Sequence, residues 1–129
     1  MAFSVLLLGV VACSEVETEE SQPPSRVETF MADASAVARG EALFAGTCAG
    51  FCHATEPSET DALFLFDCEW KHGELDQEIF DIVTVGVPNT RMVGFGSNFP
   101  EGDDDLWKII AYLRVNQQAC SEEIVASSQ

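Results

Sequence analysis

The chain has 129 residues, with 22 acidic residues against 6 Lys and Arg and a formal net charge of −16. This length allows one small domain, and the charge argues against nucleic acid as a partner, because binding to phosphates requires clustered cations. An acidic surface favours solubility and encounters with basic partners, although a heavily solvated or salt-adapted surface would have the same composition.

The first segment, MAFSVLLLGVVACSE, predicts a processed signal rather than part of the fold. Residues 5–12 form an apolar run that is shorter than the roughly 20 residues needed to cross a bilayer. The run ends in small residues before Cys13, as cleaved signals do. This pattern resembles the lipobox of bacterial lipoproteins, so we predict a signal peptide over residues 1–12 and lipidation of Cys13. No Lys or Arg precedes the run, and an ordinary cleaved signal peptide stays an alternative.

An acidic stretch, SEVETEESQPPSRVETFMADAS, follows Cys13. Its low hydrophobicity and high charge predict a disordered tether over residues 13–34, because such a composition cannot bury enough apolar surface to offset its chain entropy. Residues 121–129 have a similar composition and are predicted to form a flexible tail. The folded domain is therefore expected to span residues 35–120.

Three helical segments are predicted inside this domain. The first begins at Ser35, and residues with i, i+3 and i+4 spacing share one face: Val37, Gly40, Phe44 and Cys48. The second runs from about Asp76 to Val85 and is stopped by the glycine and proline that follow, although the β-branched run at 82–85 could equally begin a strand. The third begins with three aspartates, which favour a helix N-terminus, and its apolar face is Leu106, Ile109, Ile110 and Leu113.

The remaining residues, roughly 53–74 and 87–102, are predicted to be loops. A domain this small is marginally stable alone, and long loops inside a compact domain usually mean function or disorder. We interpret these loops as wrapping an apolar cofactor that completes the core.

The chain contains five cysteines: Cys13, Cys48, Cys52, Cys68 and Cys120. An odd number in an exported protein leaves one unpaired, and if Cys13 is acylated then four remain in an oxidising compartment. Cys48 and Cys52 could bridge each other, bind a metal or react with a cofactor. Cys68 and Cys120 then form the second pair, and a disulfide between them would contribute about 2 to 4 kcal/mol.

The segment GTCAGFCHATEP carries the most specific motif, because His53 directly follows Cys52. A Cys pair followed at once by His marks covalent c-type haem attachment, with the imidazole as proximal iron ligand. The standard spacing has two residues between the cysteines, and this chain has three. Zinc is the alternative, since Cys and His are its preferred ligands, with His72 or Cys68 as a fourth ligand.

Met92 is the one methionine inside the predicted domain, in the loop GVPNTRMVGFG. A Met opposite His makes a haem electron carrier of raised potential, and a loop rich in Gly, Pro and Asn can direct a side chain inward without regular backbone. A lone Met can also fill a gap in a core. His72 is an alternative sixth ligand and would give a bis-His haem of lower potential.

Together these motifs resemble a class I monohaem cytochrome c from Arg39 to Leu113. GEALFAGTCAGFCH is similar to the family's N-terminal helix and haem-binding cysteines, EIFDIVTVGVPNTRMVGFG to its middle helix and methionine loop, and DDDLWKIIAYLR to its C-terminal helix. In that fold the first and last helices cross closely at a glycine that admits an aromatic side chain, and Gly40 and Tyr112 match those positions. The family commonly has proline beside the methionine, whereas Arg91 flanks it here.

The resemblance implies an all-α, cytochrome c-like fold of three main helices and long loops wrapped around one covalent haem c. Cys48 and Cys52 would form the thioethers, and His53 and Met92 would be the axial iron ligands. Two filled axial positions imply a single-electron carrier rather than an enzyme. The segment LFDCEWKHGELD resembles cytochromes that accept electrons from periplasmic quinoprotein dehydrogenases. Carbonyl groups near Pro57 are predicted to orient the unligated nitrogen of His53.

We therefore predict a monomeric carrier, lipid-anchored on the periplasmic side of a bacterial membrane, in a respiratory or dehydrogenase-linked chain. Its redox partners would present basic docking patches. A soluble periplasmic protein is an alternative location. Two other functions stay open: a haem-based ligand sensor or small redox enzyme with a labile Met92, and a zinc-binding or disulfide-stapled lipoprotein without a redox role.

Overall fold

The structure is a computed structural model that describes residues 22–59 and 61–120. Within these residues it contains four α-helices and one π turn: α1 (Arg26–Met31), α2 (Ala34–Phe44), the π turn (Ala45–Ala49), α3 (Asp76–Val85) and α4 (Asp103–Asn116). The described residues hold no strand, and an isolated bridge joins Gly86 to Val93. The predicted all-α fold is confirmed. The predicted signal peptide, Cys13 and the predicted tail at 121–129 lie outside the described residues.

The three predicted helices are present, but α2 ends at Phe44, so that Cys48, predicted on the same helical face, lies in the π turn. Asp33 caps α2 by accepting a hydrogen bond from the Ser35 backbone N–H at 2.8 Å. Gly86 ends α3 with a φ of 80°, a conformation that glycine adopts without steric cost. The β-branched end of α3 is helical rather than a strand, and the segment after it folds back, with Phe95 N–H donating to the Val83 carbonyl at 2.8 Å. No helix in the described ranges has the length and apolar character to cross a membrane.

Helix α1 corrects the predicted tether, which was expected to be disordered as far as residue 34. Ser25 and Glu28 form a capping box, each side chain bonding the other's backbone N–H, and this motif stabilises a helix N-terminus. Val27 is 2% exposed and belongs to the core, while Arg26 pairs with Asp104 of α4. The helix forms because Val27 and Phe30 share its buried face and the charges face outward.

Helices α2 and α4 cross closely and build most of the core. A β-carbon at Gly40 would lie 2.0 Å from the carbonyl oxygen of Lys108, so glycine lets the two backbones touch. Phe44 follows one turn later, with its ring centroid 5.7 Å from that of Tyr112. The predicted close crossing is therefore present, although Gly40 meets the backbone of α4 rather than the Tyr112 ring.

The remaining elements attach to α4 through specific side chains. Phe80 of α3 stacks on Trp107, with centroids 4.4 Å apart, and Arg114 donates to Asp76 at 2.7 Å. A disulfide joins Cys68 to Cys120, so the chain beyond α4 is tied to the loop that precedes α3. This is the pairing that the cysteine count suggested.

Candidate functional site

One large cavity lies between the helices and the two long loops. Its volume is about 570 Å³, which is within the usual range of small-molecule and cofactor sites, about 300 to 1,000 Å³. The helices contribute an apolar wall: Phe44, Ile79, Ile82, Val83, Leu106 and Ile109. The loops contribute the chemically active side chains, and all four predicted haem-binding residues line this one cavity: Cys48, Cys52, His53 and Met92.

The two cysteines follow α2 on a widened helical turn. Cys48 lies within the π turn, and the Cys48 carbonyl accepts a hydrogen bond from the His53 backbone N–H at 3.0 Å. Both thiols are free and half-buried. Burial raises the pKa of the Cys48 thiol to about 11, with a smaller contribution from the nearby Cys52. Cys48 is therefore a protonated thiol at neutral pH.

The His53 ring is oriented by a backbone carbonyl. Its Nδ1 lies 2.8 Å from the carbonyl oxygen of Leu63, and because a carbonyl only accepts, Nδ1 carries the proton. The other nitrogen, Nε2, is then the one free to ligate a metal, which is how outer acceptors fix ligating histidines. The predicted acceptor near Pro57 was wrong, since Leu63 fills that role. A backbone acceptor ten residues away leaves no signal in the sequence.

Met92 is presented by a loop that backbone hydrogen bonds hold closed. Its carbonyl accepts from the Val87 N–H at 2.9 Å, and its N–H donates to the Thr90 hydroxyl at 3.1 Å. Asn89 has a φ of 60°, as the third residue of a turn with proline before it requires. These contacts hold the Met92 backbone in place without a neighbouring proline.

An ion pair links the methionine loop to the loop that follows His53. Arg91 Nε donates to Asp61 at 3.0 Å, and a second bond joins the same two side chains. Both side chains line the cavity but are largely exposed, at 64% and 69%, so the pair contributes little to stability. It was not predicted from the sequence, because two loop residues 30 positions apart carry no pairing signal.

The loop segment Trp70, Lys71 and His72 completes the wall. The Trp70 indole Nε1–H is buried and has no acceptor within the described residues, which leaves a hydrogen-bond donor for a bound group. Trp107, in contrast, packs between α3 and α4. His72 lines the same cavity as Met92. Its position is therefore compatible with the alternative in which His72, rather than Met92, is the sixth iron ligand.

The donor set suits haem better than zinc. A structural zinc site needs four ligands, and among the described residues no group of three or more His, Cys, Asp or Glu side chains could hold a metal ion. Cys68 cannot serve as the fourth ligand, because it is bonded to Cys120. Two free thiols, one oriented imidazole and one thioether around an apolar cavity are the groups that hold haem in c-type cytochromes.

A family model described as cytochrome c oxidase, cbb3-type, subunit III matches residues 35–113. No match was found among curated proteins or among solved structures. The matched span covers more than half of the chain and includes all of α2 but its first residue, the π turn, α3 and most of α4.

The chain therefore belongs to this family of c-type cytochromes. Its cofactor is covalently bound haem c, and it is an exported electron-transfer protein that exchanges electrons with redox partner proteins.

Proposed function

We propose that this protein is a single-electron carrier in a periplasmic chain, with haem c held by thioethers at Cys48 and Cys52 and iron ligated by His53 and Met92. The observation that carries the proposal is that these four side chains line one and the same largely apolar cavity. These residues come from two distant segments of the chain. If Met92 only filled a gap in the core, there would be no reason for it to line the same cavity as the Cys-Cys-His motif.

Each residue has a distinct role. Cys48 and Cys52 would fasten the ring, and the Leu63 carbonyl holds the proton on Nδ1 of His53, which leaves Nε2 free for the iron. The Met92 thioether is a weak, neutral ligand that favours the reduced state and raises the potential. The apolar wall excludes water, which limits solvent reorganisation when the charge changes. Two protein ligands leave no open site for substrate, so the protein transfers electrons and does not turn over a substrate.

The surface favours basic partners. The formal charge is −16, and all the basic side chains except Lys71 make ion pairs with carboxylates in the described residues. Complementary charge speeds encounter and orients the partner. We therefore expect redox partners with basic docking patches, a monomeric carrier, and no nucleic-acid partner.

A test of the ligand set compares Met92→Ala with Met31→Ala in the full chain, produced with c-type haem maturation. Met31 lies on α1, away from the cavity lining, and is the matched control. We expect a reversible one-electron titration, with a lower midpoint potential and new cyanide binding in Met92→Ala only. If Met92→Ala titrates like wild type while His72→Ala shifts the potential, His72 is the ligand instead.

The same measurements separate the carrier from a ligand sensor. A filled sixth position predicts slow cyanide or carbon monoxide binding by the wild-type protein. Rapid binding would mean that Met92 is labile and would favour the sensor or small-enzyme alternative.

We propose that Cys13 carries the lipid anchor and that the chain up to α1 spans the gap to the membrane. A Cys13→Ser variant should move from the membrane fraction to the soluble periplasmic fraction and lose incorporation of labelled fatty acid. Membrane association that survives this substitution would contradict the anchor and favour another mode of attachment.

A further inference from the structure

The haem-attachment segment contains one residue more than the usual motif. In C-x-x-C-H the histidine follows the first cysteine by four residues, which is the spacing of one α-helical hydrogen bond. In this chain His53 follows Cys48 by five residues, in the sequence CAGFCH. An insertion at this point must either bulge out as a loop or be absorbed by the helix.

In the structure the π turn and the turn that follows it absorb the insertion. The π turn (Ala45–Ala49) continues directly from α2, and a turn over residues 50–52 leads on to His53, whose N–H donates to the Cys48 carbonyl at 3.0 Å. That bond spans five residues, which is the hydrogen bond of a π-helix rather than an α-helix. Gly50 keeps a right-handed helical conformation, with φ −59° and ψ −27°. The donor is thus the histidine and the acceptor the first cysteine, the two residues that one α-helical hydrogen bond would join at the shorter spacing.

The wider turn keeps the reactive side chains on the cavity side. Cys48, Cys52 and His53 all line the cavity. Phe51, in contrast, is 89% exposed, although burial of a phenylalanine side chain is normally favourable. The extra length is therefore accommodated on the outer side of the turn, where Phe51 lies, and not on the side that faces the cavity.

We propose that this π turn is a positioning device that allows both cysteines to form thioethers in spite of the longer spacing. The inference rests on the proposed haem attachment and concerns how many bonds form. In each bond a thiol adds across one vinyl group: the S–H bond and the vinyl π bond break, and an S–C and a C–H bond form. No net oxidation or reduction occurs, so no further reactant is needed.

The test counts free thiols in the mature, full-length protein. Denatured, unreduced protein is treated with a maleimide and the peptide containing Cys48 and Cys52 is analysed by mass. A thioether sulfur does not react, and Cys68 and Cys120 are protected by their disulfide. Cys48→Ala and Cys52→Ala provide reference proteins with one possible thioether each, and their pyridine haemochrome spectra calibrate a second readout.

Two length variants test the π turn itself. Deletion of Gly50 restores the two-residue spacing and allows an α-helical hydrogen bond, whereas insertion of one alanine after Gly50 separates Cys48 and His53 by six residues, which no regular helical hydrogen bond spans. We expect no reactive thiol in the wild type or the deletion variant, and one reactive thiol in the insertion variant.

The outcomes separate this inference from the proposed function. One reactive thiol in haem-bearing wild type, with a haemochrome like that of a single-cysteine variant, would overturn the inference and reduce the attachment to one thioether, while the electron-carrier function with His53 and Met92 as ligands would stand. Full attachment in the insertion variant would also overturn it, because the π turn would then be unnecessary. Absence of haem from every variant, with both thiols reactive, would instead overturn the proposed function.

Discussion

Gly40 of α2 and Lys108 of α4 meet backbone to backbone. A β-carbon at Gly40 would lie 2.0 Å from the Lys108 carbonyl oxygen and 3.1 Å from the Ile109 nitrogen. Both distances are shorter than the optimal separation of non-bonded carbon atoms, which is about 3.5 to 4 Å. Ile109 and Phe44 both line the cavity. The helix crossing therefore sets the distance between two parts of the cavity wall.

Gly40→Ala should force α2 and α4 apart. Overpacking of a rigid backbone contact typically costs about 1 to 3 kcal/mol, and we expect a loss of about 3 kcal/mol in the free energy of unfolding, with reduced haem incorporation. Gly46→Ala is the matched control, because nothing lies within 4 Å of a β-carbon there, and its change should stay within about 1 kcal/mol. Equal stabilities of the two variants in denaturant titrations would contradict the close crossing.

Asp105 should stabilise the fold in a pH-dependent manner. It is completely buried, and the Arg39 side chain donates to its two oxygens at 2.6 and 2.9 Å. These hydrogen bonds, opposed by burial, hold the pKa of Asp105 below its ordinary value. Asp105→Asn should lower the free energy of unfolding by about 2 kcal/mol at pH 7.

The direction of this pH dependence follows from the lowered pKa of Asp105 in the folded state. The stabilisation by ionised Asp105 is complete above the pKa of the unfolded chain, about 4, and is lost as the pH falls through the lower folded-state pKa. The difference between wild type and Asp105→Asn should therefore shrink in acid. Asp103→Asn, at an exposed position in the same helical turn, should change stability by about 0.5 kcal/mol or less. A difference for Asp105→Asn that is constant from neutral pH to pH 2 would count against the ion pair.

The Cys68–Cys120 disulfide should contribute stability through the loop that it closes. Its cysteines are 52 positions apart, and removing such a bridge by Cys68→Ser with Cys120→Ser should cost about 2 to 4 kcal/mol. Wild type with a thiol reductant should melt like the double variant, which should itself be insensitive to the reductant. An oxidised wild type that melts at the same temperature as the double variant would show that the bridge adds nothing.

The acidic surface should steer small redox reagents according to their charge. With a formal charge of −16, the reduced protein should react faster with hexaammineruthenium(III) at low ionic strength, and the rate should fall as salt screens the attraction. The rate with anionic ferricyanide should rise over the same range. Stopped-flow rates that respond to salt in the same direction for both reagents would contradict electrostatic steering.

Local signals predicted most of the helical framework. Apolar periodicity and the aspartates of α4, together with the glycine that ends α3, predicted the three helices, with the starts of all three and the end of α3 within a residue of those observed, but the first helix was extended to Cys48, whereas α2 ends at Phe44. Helix α1 was not predicted, because its six residues lie in a glutamate-rich stretch. Val27 is a core residue only because α1 packs against α4. Burial against a distant element is invisible to local composition.

Some features of the candidate site were likewise predictable from the sequence, and others were not. The motif around Cys48 and His53 and the lone Met92 marked the chemistry, because residue types and spacing carry that information. The Leu63 carbonyl that orients His53, the Arg91–Asp61 link and the π turn could not be predicted. These three features depend on the positions of hydrogen-bond donors and acceptors in the folded backbone. A single sequence does not contain that information.

Haem staining of a denaturing gel tests the central claim most directly. The full chain and a Cys48→Ala/Cys52→Ala double variant are produced side by side in a host with c-type haem maturation. Covalent attachment at these cysteines predicts a stained band for the wild type that survives denaturation and no stain for the double variant. An unstained wild-type band, or an equally stained double variant, would contradict attachment at Cys48 and Cys52.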